Sequence, residues 1–383
     1  MKKLYVLITI VLSSAFSLGY ACTSSLIPTQ EGGFVYLRSL QFAMPFNSSV
    51  IAIPRNYSFA GITPDKTPSG LQWKSKYAVI GANALGMELI MDGINESGLT
   101  GGIQYFPRYA RYQDANTQSD LAKSIASYQL LTWILTNFAT VEEVSNAINN
   151  IVVTNAPVPS LNTSFPLHYV VHDVNGKSIV IEYDSRGLKV YKNPLHAFTN
   201  SPAFDYHLTN FNQYVGFNNG AGDSFVIDGE KFGPLSAGWN SIGLPGGNDS
   251  VSRFTRMSFM TLSVSTADAM PKTQSEGVLT AFRILNTFDF PYGVAKNNVT
   301  LPTSAMTAYD YNVNEWVSVA DLKNRVYYIR TYDDSAIKTL SFKNFNMGAK
   351  TITYYPLESK EKFYQLTPQQ PRSASWIAGK KSK

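Results

Sequence analysis

One cysteine and four histidines are all that this 383-residue chain contains of the residues most often used for metals, disulfides and thiol chemistry. A single cysteine cannot close a disulfide within the chain, so stability has to come from a packed core, which a chain of this length can build. No apolar run after the first 21 residues approaches the ~20 residues that a membrane-spanning helix needs. No phosphate-binding P-loop, Rossmann glycine fingerprint, His-Glu-x-x-His pair or Gly-x-Ser-x-Gly elbow occurs, which excludes the enzyme classes built on those motifs. Charge of one sign is also lacking. The formal net charge is +5. Lys2 and Lys3 lie in the first segment, however, and Arg372, Lys380, Lys381 and Lys383 in the last. Without these six, the 32 basic residues become 26 against 27 acidic ones, a net of −1. A body so balanced has no basic footprint for nucleic acid.

What is present begins at the N-terminus. Lys2 and Lys3 are followed by an apolar stretch from Leu4 through Ile8, Ile10 and Leu12 to Phe16. Ser17, Gly19, Tyr20 and Ala21 close the segment. A basic start, an apolar centre and small residues before a cut describe a secretory signal peptide over residues 1–21. Cutting after Ala21 makes Cys22 the new N-terminus. One residue then carries a thiol and a free α-amine. The amine titrates near pH 7.7–8.0 and can take the thiol proton at neutral pH, which makes Cys22 a candidate nucleophile with its own base. Two other readings compete. A lone cysteine is commonly an inert buried hydrophobe. A cysteine after a signal can also carry a lipid, but that anchor wants a branched aliphatic three residues earlier, where Gly19 stands.

Aromatics make up 13% of the chain, with 23 Tyr and 22 Phe, which points to much sheet. Cys22 to Ile27, a turn at Glu31-Gly32-Gly33 and Phe34 to Leu37 read as a hairpin. Further strands are expected over Ser49 to Pro54, Tyr77 to Ile80 and Leu99 to Phe106, the last after a turn at Asp92 to Asn95. Ser119 is expected to cap a helix carrying Leu121, Ile125, Leu130, Leu131 and Ile134. Thr140 and Glu143 have capping-box spacing for a short helix through Ile148. Strands follow at Leu167 to Val171, Ser178 to Tyr183 and Leu188 to Tyr191. Helices are expected around Arg253 to Leu262 and Gly277 to Asn286. The last third returns to strands at Ala305 to Tyr311, Val326 to Arg330, Thr339 to Phe342 and Thr351 to Tyr355. Grouped strands and helices of this kind argue an α+β fold. The expectation is one domain over residues 22–368 and a disordered basic tail over residues 369–383.

Several segments, in order, resemble the choloylglycine hydrolase family of N-terminal-nucleophile amidases, which includes bile salt hydrolases and penicillin V acylases. Cys22-Thr23-Ser24 is similar to the family start, and Arg38 falls at the matching distance. Ile51 to Asn56, Lys76 to Val79, Asp92 to Leu99 and Tyr105-Phe106-Pro107 match further segments. So do Phe198-Thr199-Asn200-Ser201-Pro202 with Phe204-Asp205, the Asn212-Gln213-Tyr214 run, Gly243 to Gly246 with Ser252-Arg253-Phe254, and Tyr327 to Tyr332. The resemblance covers nearly the whole chain after residue 21. It implies a four-layer αββα sandwich and hydrolysis of a linear amide, with no cofactor and no metal. It implies Cys22 as nucleophile, and Asn200 and the backbone N–H of Tyr105 as oxyanion donors. Arg38 and Arg253 would lie near the thiol and favour its thiolate form. The Tyr105 side chain would border the acyl pocket. That tilts the substrate toward penicillin V-like amides, with conjugated bile acids and N-acyl homoserine lactones as the other candidates. Family members are often tetramers.

One position departs from that pattern. The family usually has an aspartate three residues after the arginine, where this chain has Gln41. An aspartate would hold the α-amine by a charge-assisted hydrogen bond and raise its basicity. Glutamine keeps an acceptor oxygen without the charge, at a position expected to border the substrate. The competing function is therefore an acyl-ligand-binding or lipid-anchored protein on the same scaffold. His168 and His172, four apart in a strand, face one side of a sheet and read as sheet-face residues rather than a metal pair. Asp333-Asp334 reads as a solvated turn. The expected location is outside the cytoplasm, periplasmic or secreted.

Overall fold

The computed structural model describes residues 21–296, 309–358 and 360–367. All of the expected signal segment but Ala21, the expected tail from residue 369 and most of the expected strand Ala305 to Tyr311 lie outside the described residues.

Two antiparallel sheets face each other. The first has five strands, ordered Ala21–Pro28, Phe34–Phe42, Val313–Asp321, Val326–Thr331 and Lys338–Ser341. The second has eight, ordered Gly187–Lys192, Ser178–Asp184, Leu167–His172, Thr100–Tyr105, Asp92–Asn95, Val79–Ala82, Ser49–Ile53 and Thr353–Pro356. Helices Ser250–Val264 and Gln274–Asn286 cover the outer face of the first sheet, and helix Leu130–Asn137 covers the second. The layers are helix, sheet, sheet, helix, as the α+β reading and the resemblance anticipate. Alternating residues of each inner face form the core between the sheets. Leu26, Tyr36 and Ile94 are fully buried there.

A polar knot ties the two sheets inside that core. Asp92 of the second sheet accepts hydrogen bonds from Tyr36, Ser318 and Tyr327 of the first, at 2.9, 2.6 and 2.8 Å. The Arg38 guanidinium lies 3.5 Å from the same carboxylate. Burial and Asp92 together push the Tyr36 and Tyr327 hydroxyls well above their ordinary pKa, so both remain donors.

The opening hairpin forms as read, pairing Cys22 with Leu40 and Ile27 with Val35. Elsewhere the structure differs. Asp92 to Asn95 is a strand, not a turn. Gly93 faces Gly81 on one neighbour and Gly101 on the other, and a Cβ on Gly81 would sit 2.2 Å from the Asp92 carbonyl oxygen. Glycine is required because the strands approach too closely for a side chain. The turn comes later, at Glu96-Ser97-Gly98, where Gly98 has φ +87°.

The single helix expected from Ser119 to Ile134 is divided. Thr117 caps a short helix Gln118–Ala122, and Ser124–Ala126 then pairs as a parallel strand with Val152–Thr154. Helix Leu130–Asn137 begins only after it. Ile125 is buried by strand pairing, so its place in the apolar stripe was coincidental. Thr140 caps Val141–Ala147 through the Glu143 N–H, while the Glu143 carboxylate accepts from Ala139 rather than from Thr140. Asp333 is exposed, whereas Asp334 is buried and holds Lys338 at 2.9 Å, so only half of that pair is a solvated turn.

Candidate active site

Cys22 is the second residue of the edge strand Ala21–Pro28. The strand alternation sends Cys22, Ser24 and Leu26 to the inner face and Thr23 and Ser25 to the helix face. The contacts agree: Gln104 of the second sheet donates to Ser24 Oγ at 2.8 Å, and Ser25 meets Thr261 of helix Ser250–Val264 at 2.7 Å. The Cys22 side chain is buried at one end of a pocket between the sheets. Leu40, Phe42, Met91, Ile103 and Tyr105 are among its walls. Almost all of its surface is apolar. It suits an apolar group attached to a carbonyl.

Asn200 closes the other side of Cys22. Its Oδ1 accepts from the Cys22 backbone nitrogen at 2.7 Å and from Arg253 Nη2 at 3.0 Å. Its Nδ2 donates to the Tyr105 carbonyl oxygen at 2.8 Å. A carboxamide NH2 carries two hydrogens, so a second N–H remains beside the one given to Tyr105. The strand end is pinned to this loop by paired bonds between Ser24 and Phe198, both 2.9 Å.

Arg253 is fully buried in the first turn of helix Ser250–Val264. Asp249 caps that helix through the N–H groups of Val251 and Ser252. The guanidinium spans from Asn248 O, 2.9 Å from Nε, to the Cys22 carbonyl oxygen and Thr23 Oγ1, the last at 2.6 Å from Nη1. Burial lowers its pKa to about 10, with Cys22 and Asp249 acting the other way, so it stays charged at neutral pH. Arg253 thus grips the main chain of the cysteine.

Arg38 approaches from between the sheets. Its Nη1 donates to Met91 O at 2.5 Å and its Nη2 to Ile103 O. The guanidinium lies 5.2 Å from the Trp316 ring centre. Burial alone would lower its pKa, but Asp92, Cys22 and Tyr36 outweigh burial and hold it above its ordinary value.

Of the residues singled out from the sequence, Cys22, Arg38, Tyr105, Asn200 and Arg253 are therefore brought together. Gln41 is different. It is fully buried and is not among the residues lining the apolar pocket. Its Nε2 donates to Ser39 Oγ at 2.8 Å and to the Phe288 carbonyl at 2.7 Å, on the helix side of the first sheet. His168 stacks on Phe106, ring centres 4.3 Å apart, and meets Glu182 at 3.0 Å, while His172 packs against Tyr36. Among the described residues no group of three or more His, Cys, Asp or Glu is arranged to hold a metal ion.

Sequence reading missed His207. Its Nε2 lies 2.9 Å from the Asn200 carbonyl oxygen and its ring stacks on Phe254, centres 4.7 Å apart. Burial pulls its pKa down to about 4, so the ring is neutral and donates from Nε2. The helix that carries it, Phe204–Phe211, was also missed. Phe204, Leu208 and Phe211 have helical spacing and were the available signal.

Residues 22–355 match the family described as linear amide C–N hydrolases, choloylglycine hydrolase family. The chain is 30% identical over 339 residues to a bile salt hydrolase/transferase of Clostridium perfringens, covering 87% of this chain and 96% of that protein. It is 26% identical to a penicillin V acylase of Pectobacterium atrosepticum, covering 90% of this chain and 86% of the relative. A crystal structure of a conjugated bile acid hydrolase variant from Clostridium perfringens superposes with a TM-score of 0.78 at 28% identity, covering 90% of this chain and all of that one.

Proposed function

Because this chain belongs to the choloylglycine hydrolase family and is a hydrolase of linear amide C–N bonds, we propose that it is exported, is cut after Ala21, and works through Cys22 as an N-terminal nucleophile. The observation that carries this reading is the pairing of two features at one residue. The Cys22 side chain borders an apolar pocket, while its backbone nitrogen is held by Asn200.

In the cut protein the α-amine takes the thiol proton, and the sulfur attacks the amide carbonyl. Carbonyl π electrons move to oxygen. The second Asn200 N–H and the backbone N–H of Tyr105 donate to that oxyanion. Collapse of the intermediate breaks the C–N bond, and the leaving amine departs with the proton held by the α-amine. A thioester remains on Cys22. Water then attacks it, giving its proton to the α-amine, and the acid leaves as the thiol reforms. Arg253 fixes the Cys22 main chain through these steps. Arg38 puts a positive charge beside the sulfur.

The lining of the pocket supports an apolar acyl group, whether phenoxyacetyl, steroid or fatty acyl. Tyr105, packed edge-on to Phe42 with ring centres 6.2 Å apart, favours an aromatic or aliphatic group that can lie against it. Cys22→Ala tests the chemistry. The variant is expected to fold with the wild-type melting profile and to lose hydrolysis of penicillin V, conjugated bile acids and acyl homoserine lactones alike. Hydrolysis retained in Cys22→Ala would contradict the reading.

A further inference from the structure

Strand Val313–Asp321 carries a bulge whose extra residue is Glu315. Asn314 pairs with Gln41 and Trp316 with Leu40, which leaves Glu315 without a partner on strand Phe34–Phe42. Its two neighbours part to opposite faces. Asn314 Oδ1 accepts from the Phe290 N–H at 3.0 Å on the helix side, and Trp316 packs on Arg38 between the sheets. Bulges re-aim side chains and are frequent beside active sites. This one brings a carboxylate to the loop over residues 43–48, where Glu315 Oε2 accepts the Phe46 N–H at 3.3 Å.

That loop forms one wall of the apolar pocket. Phe46 lines the pocket together with Cys22, Phe42 and Tyr105. The Phe46 ring centre lies 4.6 Å from that of Phe42, which in turn stands edge-on to Tyr105 at 6.2 Å. An aromatic row thus runs from the loop to the residue whose N–H is proposed for the oxyanion. Other ties on the loop are neutral. Ala43 O accepts from Tyr309 N at 2.6 Å, Phe46 O from Leu85 N at 2.7 Å, and Ser48 Oγ from Trp316 Nε1 at 3.1 Å. We propose that Glu315 is a positioning residue for the acyl pocket. Its carboxylate holds the Phe46 main chain so that the Phe46 and Phe42 rings stand against the apolar part of the substrate. This rests on the proposed use of that pocket for the acyl group.

The strength of the tie depends on charge, because an ionised acceptor makes a hydrogen bond about twice as strong as a neutral one. The loop itself carries no titratable side chain. Among the described residues no Lys or Arg pairs with Glu315. Arg330 is held by Asp289 and Asn286, Lys338 by Asp334, and Arg38 by Asp92. The groups that act on Glu315 are the Asp333 carboxylate and the Tyr309 hydroxyl, whose pKa is itself raised, so the phenol stays neutral. Burial pushes the Glu315 carboxyl up to about 7, with the Phe46 N–H acting against that shift and Asp333 adding to it. Above that pH the carboxylate grips Phe46. Below it the protonated group is the weaker acceptor, and the pocket wall is held less firmly.

The test compares wild type, Glu315→Gln and Asp333→Asn from pH 6 to 8.5, with penicillin V, a glycine-conjugated bile acid and an acyl homoserine lactone as probes. Wild-type KM is expected to rise about fivefold as pH falls through neutrality. Glu315→Gln, uncharged at every pH, should show the higher KM throughout with kcat little changed. Asp333→Asn should keep the rise and shift its midpoint to lower pH, because it removes a charge that opposes ionisation. Hydrogen exchange at the Phe46 amide, corrected for its intrinsic pH dependence, reads the same tie without substrate. Protection should rise about fivefold across neutrality in wild type and stay flat in Glu315→Gln. A KM independent of pH, with equal protection in wild type and Glu315→Gln, would overturn the role of Glu315 and leave the amidase reading standing. A wild type that hydrolyses none of the three probes would overturn both.

Discussion

The Cys22 backbone nitrogen and Asn200 Oδ1, 178 residues apart in sequence, are 2.7 Å apart in the fold. The same carboxamide donates to the Tyr105 carbonyl. One side chain thus orients the nitrogen proposed as base and carries a donor for the proposed oxyanion. The two roles can be separated. Asn200→Asp keeps the acceptor and loses the donor, and should retain the fold beside Arg253 while kcat falls by about 10²–10³. Asn200→Ala loses both and should fall at least as far. Steady-state kinetics read this, and a change confined to KM would argue against the oxyanion role.

Removing Arg253 should affect stability as well as rate. Arg253→Ala leaves the carbonyls of Asn248 and Cys22 and the Thr23 hydroxyl without their donor in a buried site. A loss of about 1–3 kcal/mol is expected for each group left unpaired that water cannot reach. Urea unfolding of Cys22→Ala and of the Cys22→Ala, Arg253→Ala double variant measures this without turnover.

Asp92 is the polar tie between the sheets and lies outside the proposed chemistry. Asp92→Ala should cost about 3–5 kcal/mol, because Arg38 is left as an uncompensated buried charge. Asp92→Asn keeps one acceptor oxygen, for the Ser318 and Tyr327 hydroxyls that share Oδ1, and should cost less. Equal midpoints for alanine and wild type would show that the inter-sheet knot is not holding the layers.

Stability should also fall as pH rises through neutrality, because of Glu182. Burial raises its pKa to about 8, against bonds from the Phe204 N–H that act the other way. Burial holds the His168 ring well below its ordinary value, so at neutral pH their 3.0 Å contact joins two neutral groups rather than an ion pair. Between the ordinary carboxyl pKa and about 8 the folded state keeps a proton that the unfolded state has lost. Stability therefore declines across that window, by up to about 1.4 kcal/mol per pH unit. His207 has the opposite sign. With its pKa lowered to about 4, it contributes stability that is lost as pH falls from about 6.5 toward 4. Glu182→Gln should flatten the decline on the alkaline side and leave the acid side in place, as read by thermal melting from pH 4 to 9.

Much of this was legible in the chain before folding. The opening hairpin followed from apolar runs about a Gly-Gly turn, and the helices expected around Arg253 to Leu262 and Gly277 to Asn286 form as Ser250–Val264 and Gln274–Asn286, whose caps Asp249 and Thr273 the sequence reading did not name. Other parts were obscured for physical reasons. Asp92-Gly93 looks like a hairpin turn because that dipeptide favours one, yet here the glycine serves strand-to-strand approach. Strand Val313–Asp321, central to the first sheet, was missed because a register shift between Asn314 and Trp316 breaks the alternation on which strand reading depends. The site residues could be listed from ordered segments. Their partners could not. That Arg253 holds the Cys22 carbonyl, that His207 holds the Asn200 carbonyl, and that Glu315 accepts the Phe46 N–H are properties of three-dimensional packing.

The proposed chemistry requires that Cys22 become the N-terminal residue, with its amine free. Intact-mass and N-terminal peptide mass spectrometry of the protein recovered after export measures this directly. The expected result is a mature chain beginning at Cys22 with an unmodified α-amine and an alkylatable thiol. A chain beginning at any other residue, or a Cys22 carrying lipid on its sulfur and nitrogen, would contradict it.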